Sequence, residues 1–372
     1  MLPAAAMKLI CLLLPIVISL TACAPSKKGA AQSKSPDRPP ADFSVVSGEA
    51  GPDDIGRFLA GLPIRHGAAL SRLQQTAEYQ LHQREMGKLS RNTVGMRIDL
   101  MGNWSKAEVA PVIGGGGTVN YPFGGPDLLH VSAVFPQAST YALMGLESVG
   151  AVPPLESLPP NEVLAALASF RQATQTQLRV GYFVTDDMRS TLERGALRGV
   201  TPILLSTVAM MGGKVKSATS ISAGGNPGVE LQYDDAGGKR HTALYVAGDL
   251  SNRGFGGGYR QWLASLGGKT TYFKAASYLM HDGNFSQARE FFLSQSRVIL
   301  QDDSGIPFRY FAQDQWTFRF YGDYQSPIPL FAKHQQDDLR QAFETHAKGP
   351  LGFGSGYHAS YSNANLLLAI KR

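Results

Sequence analysis

Seven side chains in the body of this chain combine a reactive type with a position at the end of a regular element: Asp127, His130, Glu147, His281, Asp302, Asp303 and Arg309. Asp127 and His130 stand three apart, the spacing that stacks residues on one helix face. The pair is either a hydrogen-bonded helix cap or an acid and base at the edge of a site. Asp302 and Asp303 follow the apolar run RVIL. Successive strand residues point to opposite faces, so one of the two should reach a pocket while the other caps or meets solvent, which argues against paired-acid catalysis. Arg309 is close enough in sequence to neutralise one of them and order the SGIPFRYF turn. His281 follows SYLM and precedes Asp282-Gly283, and Glu147 lies in GLESVG; both are element-end positions.

Several chemistries find no support. There is no H-E-x-x-H, H-x-H or EF-hand loop, so no metal is assigned. Ser304 precedes a glycine but has Asp302 where a nucleophile elbow needs Gly, which leaves a Ser304, His281 and Asp127 triad without a motif. The GGGG run at 114–117 lacks the Lys-Ser or Lys-Thr of a phosphate loop and is expected to be a flexible joint. GFGGGY at 254 and GFGSGY at 352 are expected neither to follow a strand nor to open a helix, so no nucleotide and no cofactor are assigned.

The elements that must position these residues show in the periodicity. TVNYPF reads as a strand, GGP as a tight turn, DLLHVSAVF as a helix and TYALMGLE as a buried strand, the pattern of a right-handed crossover between parallel strands. In YPFGGPD the glycines permit a sharp turn, Pro126 suits the first helical position, and Asp127 in the first turn complements the helix dipole, worth about 0.3–1 kcal/mol. Asp127 would repel a second anion, so a ligand of this loop is expected to be a hydroxyl, an amine or a cation. A second unit of the same kind spans Thr270 to Pro307: TTYFKAASYLM, NFSQAREFFLSQS and RVILQDD.

Residues 49–110 read as an N-terminal helical segment packing on the main domain, opened by Pro52 with Asp53-Asp54 as an acidic cap. Within 111–372, helices are expected from Leu158 to about Arg179 and through DDMRSTLERGALRGVTPILLSTVAMM. An antiparallel meander is expected at about 214–248, where GGNPG and DDAGG separate alternating segments. A strand at Trp316–Tyr321, a helix at Asp337–His346 and a closing strand in LLLAI complete the chain. The class is α/β: a mixed sheet with two βαβ-like units, an antiparallel meander and an N-terminal helical layer.

Lys8 and the apolar residues 9–20 make a signal peptide too short to span a bilayer as a mature helix. It ends in Leu20-Thr21-Ala22-Cys23, a lipobox in which Cys23 takes the lipid, so residues 1–22 would be removed and 23–48 would form a disordered Pro-, Ser- and Lys-rich tether. The only cysteines are Cys11 and Cys23, which leaves no thiol for the folded part. Ala24, rather than Asp, points to an outer-membrane anchor facing the periplasm, with surface exposure an alternative. The net charge of +6 comes without a basic stripe interleaved with aromatics, so nucleic acid is not an expected partner.

RFLAGLP, YPFGGPD, GLESVG, SYLMH, QDDSGIPFRYF and GFGSGY together resemble an uncharacterised family of bacterial exported lipoproteins. The resemblance covers most of the chain after the tether and implies an independent fold without assigning an activity. Two functions remain: a lipid-anchored envelope protein that binds or scaffolds an unknown ligand or protein through strand-end loops, or a periplasmic hydrolase using Asp127, His130 and Asp302 or Asp303.

Cys23→Ser keeps the side-chain size and removes the acylated thiol. The expected result is loss of metabolic palmitate labelling and release from the membrane fraction; continued labelling overturns the anchor.

Overall fold

Along Thr140–Gly145 the side chains of Tyr141 and Leu143 enter one apolar core, and those of Ala142 and Met144 enter another. A strand does this only when both faces of its sheet are covered. The computed structural model describes residues 49–93, 97–180, 195–358 and 363–372; the expected signal peptide, lipobox and tether, all within 1–48, lie outside them. Among the described residues a single nine-stranded sheet holds the fold: β1 Thr118–Tyr121, β2 Thr140–Gly145, β3 Lys214–Ala223, β4 Asn226–Asp234, β5 Arg240–Ala247, β6 Thr270–Phe273, β7 Val298–Gln301, β8 Trp316–Gly322 and β9 Asn365–Lys371.

The spatial order is β3-β4-β5-β2-β1-β6-β7-β9-β8. The five central strands β5, β2, β1, β6 and β7 are mutually parallel, and antiparallel pairs close both edges. Both expected crossovers are present, as is the meander β3-β4-β5, with one register shift between Val215 and Ser217.

Helices cover both faces. On one lie α1 Pro52–Leu59, α2 Ala68–Gln74, α3 Ala77–Thr93, α4 Asp99–Glu108, α5 Ala110–Ile113, α6 Leu128–Val134, α7 Pro160–Val180 and α8 Thr201–Met210; on the other lie α9 Gly257–Ser265 and α10 Ser286–Gln295. α11 Asp337–His346 packs with Phe308, Phe320 and Tyr324 in a third, smaller cluster. The β1–α6–β2 crossover steps one way along the sheet with its helix on the first face. The β6–α10–β7 crossover steps the other way with its helix on the second. Right-handed connections moving in opposite directions must place their helices on opposite faces, so the direction reverses between β1 and β6. That is the topological switch point of an open α/β sheet, where a crevice forms beyond the carboxyl ends of the strands.

Local expectations are corrected in four places. Asp53 and Asp54 do not cap α1; Gly51 occupies that position without a side-chain bond. The Asp54 carboxylate accepts the Arg65 N–H at 2.7 Å and contacts His66 at 3.0 Å, while Asp53 accepts the Val215 N–H at 2.9 Å, because acids beside a folded loop gain more from its bare N–H groups than from their own helix. Of the helix expected through DDMRSTLERGALRGVTPILLSTVAMM, residues 186–194 lie outside the described residues, 195–200 are turn with Gly195 and Gly199 at φ +82°, and Thr201–Met210 is helical as expected. The GGGG run is a turn tied to its surroundings, Gly116 donating to Gln137 and Gly117 accepting from Ser139 and Thr140. GFGGGY does open a helix, α9, whose first residue is Gly257, but Tyr259 stands where a dinucleotide fingerprint needs its third glycine and is itself buried.

α8 is apolar on all sides and buried from Thr201 through Ala209. α1 reaches it through Gly56, where an added Cβ would lie 2.6 Å from the Leu205 carbonyl oxygen. At Gly87 in α3 the nearest atom would be the flexible end of Arg91, at 3.4 Å. Gly56→Ala is therefore predicted to destabilise by about 1–3 kcal/mol through overpacking. Gly87→Ala should stabilise by about 0.5–1 kcal/mol through helix propensity. Denaturant midpoints of the two variants test the opposite signs.

Candidate functional site at the strand ends

Tyr121 ends β1, and the next six residues turn the chain into α6. Phe123 adopts φ +61° and Gly125 φ +55°. Gly124 lies flat on the Tyr121 ring, where an added Cβ would sit 2.6 Å from the ring carbons. Asp127 is the N-cap of α6, not a first-turn residue, and Pro126 stands before the helix rather than at its first position. The close packing of Gly124 on Tyr121 uses up the turn one residue later than the sequence suggested.

Asp127 is 2% exposed and fully engaged. Its Oδ1 accepts the His130 N–H at 3.4 Å and the ring Nδ1 at 2.6 Å; its Oδ2 accepts the Tyr121 hydroxyl at 2.8 Å and meets the Lys274 ammonium at 2.6 Å. Lys274 directly follows β6 and is as buried as its partner. Burial pushes the Asp127 carboxyl up, but His130 and Lys274 outweigh it and hold the group well below the ordinary carboxylate range. Burial lowers the Lys274 ammonium and the His130 imidazole. His130 is thus neutral and donates its Nδ1–H, since an ionised carboxylate can only accept.

The backbone after Lys274 is strained. Ala275, Ser277 and Tyr278 have φ of +50°, +52° and +53°, and with Phe123 they are the non-glycine residues of positive φ among the described residues. All four lie at the carboxyl ends of β1 and β6. Side chains fix the conformation by taking three successive N–H groups. Asp302 Oδ2 accepts from Ala275 at 2.8 Å, Ser304 Oγ from Ala276 at 2.7 Å, and the Tyr357 hydroxyl from Ser277 at 3.1 Å. Tyr357 in turn donates to the Ala275 carbonyl at 3.0 Å.

Asp302 and Asp303 follow β7, and neither meets solvent, at 1% and 2% exposure. The expected alternation fails because β7 ends at Gln301, so both acids belong to a turn. Asp302 Oδ1 accepts the Ser304 N–H and hydroxyl at 3.0 and 2.5 Å. Burial and the neighbouring Asp303 charge push the Asp302 carboxyl up to about 6. Asp303 accepts the Tyr278 hydroxyl and the Asn365 amide and stands 3.4 Å from His358 Nε2. Burial lowers the His358 imidazole, but Asp303 overcomes this and raises it. The GFGSGY loop rests on this pair: at Gly356, with φ +58°, an added Cβ would lie 1.8 Å from Asp302 Oδ2.

His281 stands beside this network. Its ring packs on Tyr278 at 5.1 Å and His334 at 5.0 Å, and burial, with the His334 and Arg309 charges, lowers it to about 3. Two candidates fall elsewhere. Glu147 folds back onto Tyr245, whose hydroxyl donates to its carbonyl at 2.9 Å and carboxylate at 3.0 Å. Arg309 is exposed, with its guanidinium 4.9 Å from the Tyr310 ring centre, and does not pair with Asp302 or Asp303; the SGIP turn carries it outward. The imagined triad is absent, since the Ser304 hydroxyl is committed to Asp302 and the Ala276 N–H. The site residues missed in the sequence are Lys274, Tyr121, Tyr278, Tyr357, His358 and Asn365, while Ser304, weighed there as a nucleophile, serves as a hydrogen-bond bridge. Lys274 left a signal, a lone cation at the end of the apolar strand TTYF in the second βαβ-like unit. The others left none, because they meet only in the folded chain.

Two polar atoms at this cluster are buried without a hydrogen-bond partner, His281 Nε2 and His358 Nδ1, while the buried hydroxyls of Tyr272 and Ser355 adjoin and face each other. No family model, curated protein or solved structure matches this chain.

Two predictions follow from the charges. Asp127→Asn removes the carboxylate charge 2.6 Å from the buried Lys274 ammonium, which should cost about 3–5 kcal/mol rather than the few tenths of a lost cap. Lys274→Met should cost a similar amount, and the double variant Asp127→Asn/Lys274→Met less than the sum, in a double-mutant cycle of denaturant midpoints. The Asp302 carboxyl titrates near 6 in the fold against about 3.9 in an unfolded chain. Its contribution to stability is therefore complete below pH 4 and is lost as pH rises through 6. The stability of the native chain minus that of Asp302→Asn should fall by about 2–3 kcal/mol from pH 4 to pH 7.

Proposed function

We propose that the protein is a lipid-anchored protein of the bacterial cell envelope that binds a hydroxyl-rich ligand, of the carbohydrate class, in the crevice beyond β1, β6 and β7. The observation that carries this reading is the set of unpaired buried polar atoms around Asp302 and Asp303. A buried donor or acceptor without a partner costs roughly 1–3 kcal/mol, and two imidazole nitrogens in one place, His281 Nε2 and His358 Nδ1, describe a surface that lacks its complement. The strained backbone beside them supports the same location, since left-handed non-glycine residues gather at ligand clamps.

Charge narrows the class. The field of the α6 N-terminus is already filled by Asp127, and around it Asp302 and Asp303 stand against Lys274, His358 and the Arg97 guanidinium, so a phosphate would meet carboxylates as well as cations. A neutral sugar brings hydroxyls that both donate and accept. Phe331, His334 and Tyr357, half-buried around Tyr278 at 4.8, 5.0 and 6.2 Å, offer ring faces for its apolar side. In this reading Cys23 carries the lipid, residues 24–48 are the tether, the anchor is in the outer membrane, and the crevice faces the periplasm. Among the described residues no helix is long and apolar enough to cross a membrane.

The hydrolase reading has one observation in its favour: a carboxyl titrating near 6, as Asp302 does, is matched to proton transfer at neutral pH. The commitment of Asp127, His130 and Ser304 to buried bonds weighs against it.

Titration of the full chain with soluble peptidoglycan disaccharide and chitotriose, followed by thermal denaturation, tests the proposal. A ligand at one hundred times its dissociation constant should stabilise the fold by about 2.7 kcal/mol. Phe331→Ala should abolish the shift while leaving the unliganded melting point nearly unchanged. Absence of any shift with either sugar, or a shift that survives Phe331→Ala, overturns the carbohydrate reading. Sugar cleavage that Asp302→Asn eliminates would replace it by the hydrolase.

A further inference from the structure

β8 is an edge strand whose outer side is covered along only part of its length. The Arg372 N–H donates to the Gln315 carbonyl at 2.9 Å, and from there the antiparallel ladder alternates. Thr317, Arg319 and Tyr321 turn their N–H and C=O groups toward β9, while Trp316, Phe318, Phe320 and Gly322 turn theirs outward. The chain leaving α11 occupies one end of this edge. The Phe320 carbonyl accepts the Lys348 N–H at 2.9 Å, the Gly322 N–H donates to the Gly349 carbonyl at 2.7 Å, and Phe320 and Ala347 form a parallel bridge. Among the described residues, no protein group bonds the outward N–H and C=O of Trp316 and Phe318.

Beside this open stretch lies a cavity of about 450 Å³ between β8 and α11. Phe308, Phe318, Phe320 and Ala342 line it with apolar surface; His346 and Arg372 stand at it, and no acidic side chain takes part. Phe308 packs edge to face on Phe318 and Phe320 at 5.1 and 5.8 Å, so the wall is formed before a guest arrives. The Arg372 guanidinium is held by neutral acceptors, the Asp314 carbonyl at 3.2 Å and the Thr317 hydroxyl at 3.4 Å; among the described residues no carboxylate side chain pairs with it. Edge strands are ordinarily blunted by lysine, proline or a bulge. Trp316-Thr317-Phe318 carries none of these.

We infer that the open stretch of β8 receives an extended segment of another protein, which adds a strand to the sheet, places apolar side chains in the cavity and sets an acidic residue against Arg372. Donors and acceptors repeating at every second residue match another extended backbone, and a pocket beside them selects its side chains. A sugar or a fatty acid has no such repeat. The chain's own apolar stretch DFSVV, at 42–46, cannot serve. It ends seven residues ahead of Asp53, whose carboxylate accepts the Val215 N–H on β3, at the opposite edge of the sheet. Eight strand spacings amount to about 38 Å, and seven residues reach at most about 25 Å. Residues 24–41 hold four prolines and four basic side chains, wrong for the ladder and for the charge. A second copy paired about Thr317 would set one Arg372 against another. The inference is independent of the carbohydrate proposal, because no residue of this groove belongs to the crevice.

A phage-displayed library of random dodecapeptides, selected on the full chain, supplies the probes, and amide hydrogen exchange locates them. In the free chain the Trp316 and Phe318 amides are expected to exchange at least about tenfold faster than those of Thr317 and Arg319, which donate to β9. Selected peptides should alternate apolar and polar residues, carry an acid, and slow Trp316 and Phe318 by about tenfold or more. Methylating alternate peptide nitrogens should abolish binding. Arg372→Gln, at an exposed side chain, should weaken it several-fold. A library that yields no binder, binders that protect other residues, or binders rich in lysine overturn the inference. So do Trp316 and Phe318 amides already slow in the free chain; if that protection fades on dilution, the occupant is a second copy instead.

Discussion

Everything at the carboxyl edge of the sheet hangs on one ion pair, Asp127 with Lys274, 2.6 Å apart and withdrawn from water. Desolvating either group alone costs several kcal/mol, and their attraction repays it only if the geometry is close and the remaining valences are filled. Tyr121 and His130 fill them on the acid side. The constraint is global, because Asp127 belongs to the loop after β1 and Lys274 to the first position after β6. The two strands are adjacent in the sheet and nearly 150 positions apart in the chain, so the pair can form only when β1 and β6 lie side by side. It locks the point at which the sheet reverses its direction of winding.

From Lys274 onward the consequence passes to the backbone. With the ammonium held against Asp127, the chain has to leave β6 through three left-handed residues within four positions. Each such residue costs of order 1–3 kcal/mol, and the conformation persists because Asp302, Ser304 and Tyr357 each hold one of its N–H groups. Asp302 is thereby given a second task that explains its acidity. A carboxylate accepting several N–H and O–H bonds is ordinarily stabilised in its charged form, yet here burial and the adjacent Asp303 win. The acid needed to clamp the strained loop sits where ionisation is least favourable.

The architecture was legible in the residues because it rests on local rules. Alternation, four-residue apolar runs and Gly-Pro punctuation mark strands and turns, and Asp337–His346 forms the helix read there, with Leu339 and Phe343 facing inward. YPFGGPD was legible as a corner, and even the i, i+3 relation of Asp127 and His130 survives. What was not legible depends on contacts between distant segments. The value of Asp127 changed from an exposed dipole term to a buried ion pair once Lys274 entered from a segment far along the chain. Asp302 and Asp303 were misjudged for a smaller reason: β7 stops one residue before them, and strand alternation does not extend into a turn. GFGSGY offered no nucleotide signal, and its use proves steric, as Gly356 lets the loop lie directly on a carboxylate.

Rigid floor and adaptable rim divide the labour of such a site. Asp127, Lys274, Tyr121 and His130 are buried and mutually satisfied, so they leave little capacity for a guest and serve to hold the strand ends in place. The unpaired atoms lie one layer further out, on His281 and His358, and the half-buried rings of Phe331, His334 and Tyr357 beyond them. A catalytic constellation would be arranged the other way, with its charged groups unsatisfied and aimed at the reacting atom until substrate arrives. Here the charges of Asp127 and Lys274 are spent on holding the strand ends, and the atoms left open, on His281 and His358, stand beside that pair rather than within it.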